Sequence, residues 1–178
     1  MAGTLAEAIK AAGVVGAGGA GFPTHVKATS QADTVIANGS ECEPLLFSDQ
    51  CLMQLHAAEI VAGMELMMAA VGAERGIIGT KAKYSKVVRG FEQVLDGRTD
   101  ITIVQLANFY PSGDEQSLVY ETTGRVVPEG AIPLAVGAVV NNVETLRNIA
   151  LASKGIPVTD RLVTINGEVR KPGVFRVP

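Results

Sequence analysis

Residues 34–44 read TVIANGSECEP, and this stretch sets the expected fold. Its first four residues, Thr34 to Ala37, are mostly apolar and partly β-branched, which predicts a short buried strand. A polar cluster from Asn38 to Glu43 follows at once and is closed by Pro44. Because ligands of open α/β sheets gather beyond the carboxyl ends of the strands, this cluster is a candidate binding turn.

Outward from this strand, helical and strand patterns alternate along the chain. The segments expected to be helices are 5–12, 50–71, 82–95, 114–122 and 141–153, and the segments expected to be strands are 34–37, 76–80 and 101–106. Ser48 or Asp49 is a suitable cap for the long helix, which is apolar on nearly all faces and should be buried. The alternation predicts an α/β sandwich, in which helices flank a largely parallel sheet.

The C-terminal residues have a different pattern. Residues 161–169 and 171–175 predict a strand, a turn and a second strand, with no partner sheet elsewhere in the chain. We therefore expect residues 1–158 to form the α/β domain and residues 159–178 to begin a second, truncated domain.

Composition excludes several classes of partner. The 178 residues are 47% hydrophobic and 19% charged, with a formal net charge of −3, so no basic surface favours nucleic acid. The most apolar stretch, 60–72, is shorter than the about 20 residues that span a bilayer, so we expect a cytoplasmic chain without direct membrane insertion. Cys42 and Cys51 are two thiols, whereas an iron–sulfur cubane takes about four, so no metal site is expected within this segment.

Glycine is concentrated in a loop near the N-terminus, residues 14–24. Gly16, Gly18 and Gly21 satisfy the spacing of the dinucleotide fingerprint, but a helix precedes them and Phe22-Pro23-Thr24 follows. The fingerprint requires a preceding strand and a directly following helix, so the standard Rossmann interpretation fails. Such a loop still lets a planar or anionic ligand approach backbone N–H groups, and Lys27 could supply charge to a phosphate. A flexible loop without a ligand is the alternative.

Three further turns carry polar groups suited to a nucleotide. Asn38, Glu41 and Glu43 offer acceptors for ribityl or ribose hydroxyls after the first strand. Residues 110–115 place a glycine and acidic residues at a helix start, and residues 140–145 place paired asparagines and a threonine at another, where the helix dipole favours a phosphate. Each turn taken alone is equally compatible with helix capping or a solvated loop.

Taken together, residues 16–24, 38–44 and 141–145 resemble, in the same order, the signatures of the flavin-bearing NADH dehydrogenase subunit of respiratory complex I. Residues 22–27 and 123–128 make the resemblance closer to the C subunit of Rnf electron-transport complexes and to the cobalamin reductase of propanediol-utilising microcompartments. The resemblance covers roughly residues 5–155. The tail resembles the start of the small β-grasp domain that follows in these proteins.

The resemblance implies an FMN-dependent oxidation of NADH, with electrons passed to 4Fe–4S clusters outside this segment and to partner subunits. The residues that it assigns to FMN are Gly16, Gly18, Gly19, Lys27, Asn38, Glu41, Gly113, Asp114, Val140, Asn141, Asn142 and Thr145, and those that it assigns to NADH are Phe22, Glu43 and Glu115. The flavin would carry the chemistry, so no side chain is expected to act as a catalytic acid or base. Any association with a membrane or microcompartment would come through partner subunits.

Three positions depart from the complex I pattern. Ala17 stands where that pattern has arginine, Ser40 where it has aspartate, and Asp114 where it has the first of two glutamates. We expect these changes to affect NADH binding more than FMN binding. Two other functions are compatible with the residues: a flavin-free scaffold that docks partner subunits, and a flavin domain that accepts electrons from a protein donor.

Overall fold

Four parallel strands form the central sheet of this computed structural model, which describes residues 4–178. The strands of this sheet are β1 (Thr34–Gly39), β2 (Arg75–Lys81), β3 (Ile101–Leu106) and β4 (Ala138–Asn142). Two further strands, β5 (Arg161–Ile165) and β6 (Gly173–Val177), lie outside it. The helices are α1 (Leu5–Ala11), α2 (Thr24–Lys27), α3 (Ser48–Val71), α4 (Ser85–Val94), α5 (Glu115–Thr123) and α6 (Val143–Ala152), with a 3-10 helix at Pro133–Val136. The order in the sheet is β3-β2-β1-β4, and every pair is parallel. The expected α/β sandwich is confirmed.

Helices cover both faces of this sheet because its strands are apolar on both sides. Successive side chains of a strand point to opposite faces. In β1, Val35 and Ala37 pack into the core formed with α1, α3, α4 and α6, whereas Ile36 packs into the core formed with α5. All three side chains are fully buried, which fixes the register of the central strand.

The long helix α3 lies in the larger core, as its apolar sequence predicts. Met64 and Met67 are fully buried, and α3 packs most extensively against α6. The two helices approach so closely at Gly63 that a Cβ there would lie 1.8 Å from the carbonyl oxygen of Leu146. Glycine at this position therefore sets the distance between the helices.

The expected capping of α3 by Ser48 or Asp49 is wrong. The residue before the helix is Phe47, whose side chain makes no capping hydrogen bond. Instead, the Glu41 carboxylate accepts a hydrogen bond from the Ser48 N–H at 3.1 Å. The cap comes from the turn after β1, because the chain folds back over the start of α3 and brings a carboxylate to the positive end of the helix.

The fourth strand of the sheet was not expected from the sequence. Residues 138–142 form β4, so Asn141 belongs to a strand and α6 begins only at Val143. Asn142 caps α6, since its Oδ1 accepts a hydrogen bond from the Glu144 N–H at 2.8 Å. A strand of five residues that runs directly into a helix leaves no turn signal to separate the two patterns. The single-turn helix α2, which begins at the last residue of the predicted glycine loop, was also not expected.

Strands β5 and β6 form a separate antiparallel hairpin. Of the strand and turn expected over residues 161–169, the strand covers Arg161–Ile165. Thr164 fastens the hairpin to the start of α3, because its Oγ1 accepts from the Phe47 N–H at 3.0 Å and shares a hydrogen bond of 2.8 Å with Ser48 Oγ. The division of the chain into domains of residues 1–158 and 159–178 stays a prediction.

Two negative findings apply to residues 4–178. No helix there has both the length and the apolar character required to cross a bilayer. In the same residues, histidine, cysteine and acidic side chains form no group of three or more that could hold a metal ion.

Candidate functional site

The strand order creates a crevice between β1 and β4. The chain proceeds from β1 to β2 and β3 on one side, and then returns to place β4 on the other side of β1. Asn38 and Asn142 are register partners at the carboxyl ends of these two strands. Such a reversal of strand order leaves the following loops on opposite sides of a gap, where open α/β sheets bind ligands.

Four segments meet at this gap and enclose a space that we call the inner cavity, with a volume of about 270 Å³. The residues that line it are Gly16, Gly18, Ala20, Phe22, Thr24, Lys27, Asn38, Gly113, Asp114, Glu115, Val140, Asn141, Asn142 and Thr145. All residues assigned to FMN from the sequence, except Gly19 and Glu41, lie in this lining. Phe22 and Glu115, assigned to NADH, lie there too.

A larger space, the outer cavity, adjoins the inner one and has a volume of about 670 Å³. Its lining is Ala17, Gly18, Gly19, Asn38, Ser40, Glu41, Cys42, Glu43, Leu46, Ser48, Asp49, Tyr110, Pro111, Gly113, Asp114, Asn142, Glu144 and Arg161. The residues that line both cavities are Gly18, Asn38, Gly113, Asp114 and Asn142. Gly19, Glu41 and Glu43 line the outer cavity but not the inner one. Of the three residues assigned to NADH, Glu43 therefore lines a different cavity from Phe22 and Glu115.

The glycine loop forms one wall and is closed at its base. The Gly16 N–H donates to the Phe22 carbonyl at 2.9 Å, so the intervening residues project as a tip. Gly19 has a φ of +115°, a backbone conformation that residues with a side chain rarely adopt. The Ala17 N–H donates to Thr145 Oγ1 at 3.0 Å, which ties the tip to α6. Within residues 4–178, the N–H groups of Gly18 and Gly19 have no hydrogen-bond acceptor and remain available to a ligand.

Lys27 supplies the cation of the inner cavity. Its Nζ donates to the Val140 carbonyl at 2.6 Å and lies 3.5 Å from Glu115 Oε1. It also lies 5.3 Å from the centroid of the Phe22 ring, within the range of a cation–π contact. These contacts from β4, α5 and the glycine loop hold the ammonium group at the cavity wall.

Asn141 leaves an unsatisfied donor at the inner cavity. The residue is only 4% exposed, and its Nδ2 atom is buried without a hydrogen-bond partner in the described residues. An unpaired buried amide costs about 1–3 kcal/mol, and most such groups in proteins have a partner. Asn141 lines the inner cavity, and an acceptor on a ligand that reached this atom would remove the cost, which favours a polar ligand there.

The turns after β1 and β3 are joined by hydrogen bonds. Asn38 Nδ2 donates to the Gly113 carbonyl at 2.8 Å, and the Gly113 N–H donates to Cys42 Sγ at 3.0 Å. Ser40 Oγ and Ser112 Oγ share a hydrogen bond of 2.8 Å, and both residues are buried. A Cβ at Gly113 would lie 1.9 Å from the Ser40 carbonyl oxygen, which explains the glycine there. Ser112 was not among the expected site residues. In the sequence it resembles a helix-capping residue, and only its hydrogen bond with Ser40 in the folded chain shows its position at the site.

Three carboxyl groups converge at the inner end of the outer cavity. Burial and the neighbouring Glu41 charge raise the pKa of Asp49 to about 7, although Asn142 Nδ2 opposes this by donating to Asp49 Oδ2 at 2.8 Å. Burial also raises the pKa of Glu41, whose Oε2 atom has no partner in the described residues. Burial raises the pKa of Glu144 as well, against the opposing charge of Arg161. Asp49, Glu144 and Arg161 were not among the expected site residues, because no local pattern brings them together.

Comparison with known proteins identifies the family. Residues 9–151 match the family described as the Nuo51 FMN-binding domain. The chain belongs to this family. The expected resemblance to the complex I subunit is thereby confirmed, and with it the assignment to oxidoreductase-type flavoproteins.

Relatives of this family also confirm the expected branch. The chain is 46% identical to cobalamin reductase PduS of Citrobacter freundii over 98% of its length and 39% of the relative. It is 39% identical to the C subunit of the Na(+)-translocating ferredoxin:NAD(+) oxidoreductase complex of Acetobacterium woodii, over 93% of its length and 40% of that protein. The chain thus spans about two fifths of the length of these relatives.

A solved structure has the same fold. A crystal structure of NAD+-reducing nickel–iron hydrogenase in the H2-reduced state superposes with a TM-score of 0.83 and 28% sequence identity. The match covers 98% of the chain and 36% of the hydrogenase chain. Arg161, which lines the outer cavity, lies beyond the family match at residues 9–151, in a part of the chain that the relatives and the hydrogenase also cover.

Proposed function

We propose that this chain is the FMN-binding part of an oxidoreductase that oxidises NADH and passes the electrons to iron–sulfur clusters outside these 178 residues. The observation that carries the proposal is the inner cavity, whose lining combines a glycine loop, a lysine and Asn141, a residue with an unsatisfied buried amide. These groups fit a flat, phosphorylated ring system. When bound, FMN would take a hydride from NADH and release electrons singly.

The residues of the inner cavity have distinct roles in this proposal. Lys27 provides positive charge for the phosphate, and the free N–H groups of Gly18 and Gly19 provide further donors. Asn141 Nδ2 donates to an acceptor of the ligand. Thr145 acts as a positioning residue, because its hydroxyl holds the glycine loop against α6.

NADH is the proposed electron donor for two reasons. Both the Acetobacterium woodii relative and the hydrogenase carry NAD+ in the names of their activities, as the species that is reduced, which supports a nicotinamide dinucleotide as the redox partner of the flavin. The outer cavity adjoins the inner one and is large enough to admit a second ligand next to a flavin. Its carboxylates, among them Glu43 and Asp114, suit ribose hydroxyls, which donate hydrogen bonds to them.

Partners and location follow from the same proposal. Since the chain covers about two fifths of its relatives, we place the 4Fe–4S clusters and the final electron acceptor in other parts of the protein or in other subunits. We propose a cytoplasmic chain that reaches a membrane or a microcompartment only through such partners.

An anaerobic titration tests the proposal. The full chain is purified, mixed with FMN and freed of unbound cofactor, and its visible spectrum is recorded before and after NADH is added. We expect a retained flavin spectrum that NADH bleaches. A chain that retains no flavin would contradict the proposal and favour a scaffold. Retained flavin that reduced ferredoxin bleaches, but NADH does not, would identify a protein electron donor instead.

A further inference from the structure

The outer cavity contains a single cationic side chain within residues 4–178, and it comes from the C-terminal hairpin. We propose that Arg161, the first residue of β5, binds the diphosphate of the dinucleotide that enters this cavity. The inference rests on the proposed function and assigns a residue outside the matched FMN-binding domain to recognition of the electron donor.

Among the described residues, Arg161 is the one cation of the outer cavity that can offset the charge of an anionic ligand there. Glu41, Glu43, Asp49, Asp114 and Glu144 contribute carboxyl groups to its lining. A diphosphate carries negative charge and has only acceptor oxygens, so these carboxylates would repel it unless a cation lies between them. A guanidinium group matches phosphate oxygens with several N–H donors in one plane.

The geometry leaves most of the Arg161 guanidinium free. Its Nη2 atom lies 3.3 Å from Glu144 Oε2 and 3.5 Å from the Ala17 carbonyl oxygen. In the part of the chain that the structure describes, Nη1 and Nε make no hydrogen bond, and the Arg161 side chain is 57% exposed. The guanidinium thus combines two weak anchoring contacts with donors that remain available for an anion.

The contact with Ala17 places this group beside a second source of donors. Ala17 precedes Gly18 and Gly19, whose N–H groups have no acceptor within residues 4–178 and line the same cavity. An anion that lies between the loop tip and Arg161 would therefore meet backbone N–H groups on one side and the guanidinium on the other. Backbone donors of this kind commonly bind phosphates.

The hairpin holds Arg161 at this place. Arg161 pairs with Val177 at one end of the hairpin, and Thr164 bonds to the start of α3. The backbone of Arg161 is thus fixed relative to the cavity, so that the ordering of one side chain suffices for binding.

A purely structural role for Arg161 is the competing explanation, since the Glu144 side chain is only 9% exposed and gains charge compensation from the pair. Removing Arg161 alone would take away the ion-pair partner of that carboxylate and leave it the backbone hydrogen bond from Leu162. The experiment therefore includes Glu144→Gln, in which the carboxylate is absent and Arg161 is no longer needed for compensation.

The test uses the full chain loaded with FMN. Affinity for ADP, a diphosphate that cannot be oxidised, is measured by calorimetry, and the KM for NADH is measured with an artificial electron acceptor. We expect Arg161→Ala to weaken ADP binding and raise this KM about 10- to 100-fold, the usual range for a charge-assisted contact, with unchanged flavin occupancy. Arg161→Lys should recover part of the affinity, because it restores the charge without the planar donors.

Arg176→Ala is the matched control. Arg176 belongs to the same hairpin, pairs with Asp160 through two hydrogen bonds of 2.7 and 2.6 Å, and lines neither cavity. We expect it to leave ADP affinity unchanged. The Arg161 effect should persist when Glu144→Gln/Arg161→Ala is compared with Glu144→Gln alone, and a loss of the effect there would overturn the inference in favour of a structural role.

The other outcomes separate the inference from the function on which it rests. Normal NADH oxidation and unchanged ADP affinity in Arg161→Ala would overturn the inference but leave the proposed function standing. Loss of flavin from Arg161→Ala would also overturn it, because the group would then serve the FMN phosphate. A wild-type chain that retains FMN but binds neither ADP nor NADH would overturn both.

Discussion

At the scale of single residues, hydrogen bonds and ion pairs with neighbouring groups position the charged side chains of the site. Lys27 is placed by the Val140 carbonyl and Glu115, while Asp49 is placed by Asn142. The surroundings of Lys27 and Asp49 differ. The Lys27 ammonium lies against acceptors, whereas burial and the Glu41 charge raise the pKa of the Asp49 carboxyl group.

Replacement of Lys27 tests the phosphate end of the inner cavity. We expect Lys27→Ala to weaken FMN binding about 10-fold or more, because it removes the cation of that cavity. Glu43→Ala should have a much smaller effect, since Glu43 lies in the outer cavity. Flavin occupancy after gel filtration, compared at equal protein concentration, measures both. Equal occupancy in the two variants would contradict the placement of the phosphate.

Replacement of Asp49 tests the carboxyl cluster. The folded pKa of about 7 lies above the ordinary value of 3.8, so the folded protein binds more protons between these values and loses stability as pH rises through this range. Asp49→Asn removes this loss while its side-chain oxygen can still accept from Asn142. We expect the variant to gain about 1–2 kcal/mol at pH 8, since each pKa unit corresponds to about 1.4 kcal/mol and water in the open cavity screens part of it.

Thermal unfolding of the Asp49 variant at two pH values measures this effect. About 1–2 kcal/mol corresponds to a rise in Tm of a few degrees at pH 8. At pH 4 the wild-type carboxyl is largely protonated in the folded protein, so the difference should nearly vanish. An equal difference at both pH values would show that the carboxyl group does not titrate as the structure indicates.

At the scale of elements, close packing of α3 against α6 positions one side of the site. The capping residue Asn142 and the loop anchor Thr145 both belong to the start of α6. Leu146 also belongs to α6, and it lies opposite Gly63 of α3. The distance between the two helices thus affects the position of the glycine loop as well as the core.

Two glycine substitutions in helices separate packing from helix propensity. We expect Gly63→Ala to destabilise the protein by at least about 1–3 kcal/mol, because its Cβ would collide with the Leu146 carbonyl. Gly90→Ala in α4 should stabilise it by about 0.5–1 kcal/mol, since a Cβ there meets nothing within 4 Å. Urea unfolding measures both changes. Stabilisation by Gly63→Ala would contradict the close approach of the two helices.

At the scale of the whole molecule, the hairpin of β5 and β6 completes the outer cavity. It brings Arg161 to the glycine loop and Thr164 to the start of α3, across more than one hundred residues of sequence in both cases. The site is therefore assembled from the α/β sheet and from the segment that follows the matched family domain.

Loosening the hairpin tests this assembly. Thr164→Val removes the hydrogen bonds to Phe47 and Ser48 while it keeps the shape of the side chain. We expect amide exchange in residues 161–165 to accelerate about 5- to 10-fold, with no change in β1, because only local opening becomes easier. Thr102→Val is the control, an exposed threonine of β3 without a side-chain hydrogen bond in the described residues. Faster exchange in β1 would show that the hairpin supports the whole fold.

The alternation of helices and strands, the glycine loop and the polar turns around the cavities could all be predicted from the order of the residues. These features depend on the spacing of apolar residues and on backbone preferences, which act over a few neighbouring residues. They sufficed to predict the parallel sheet and to select candidate residues such as Asn38 and Asn141, whose contacts with a cofactor stay a prediction.

How those turns meet became apparent only in the folded chain. Folding placed β4 beside β1, made Glu41 the partner of the α3 N-terminus, divided the candidate residues between two cavities and brought Arg161 to Ala17. Each of these depends on the order of strands in the sheet and on side chains from distant segments packing together. No local pattern of residues encodes such contacts, because their free energy exists only once the whole chain has folded.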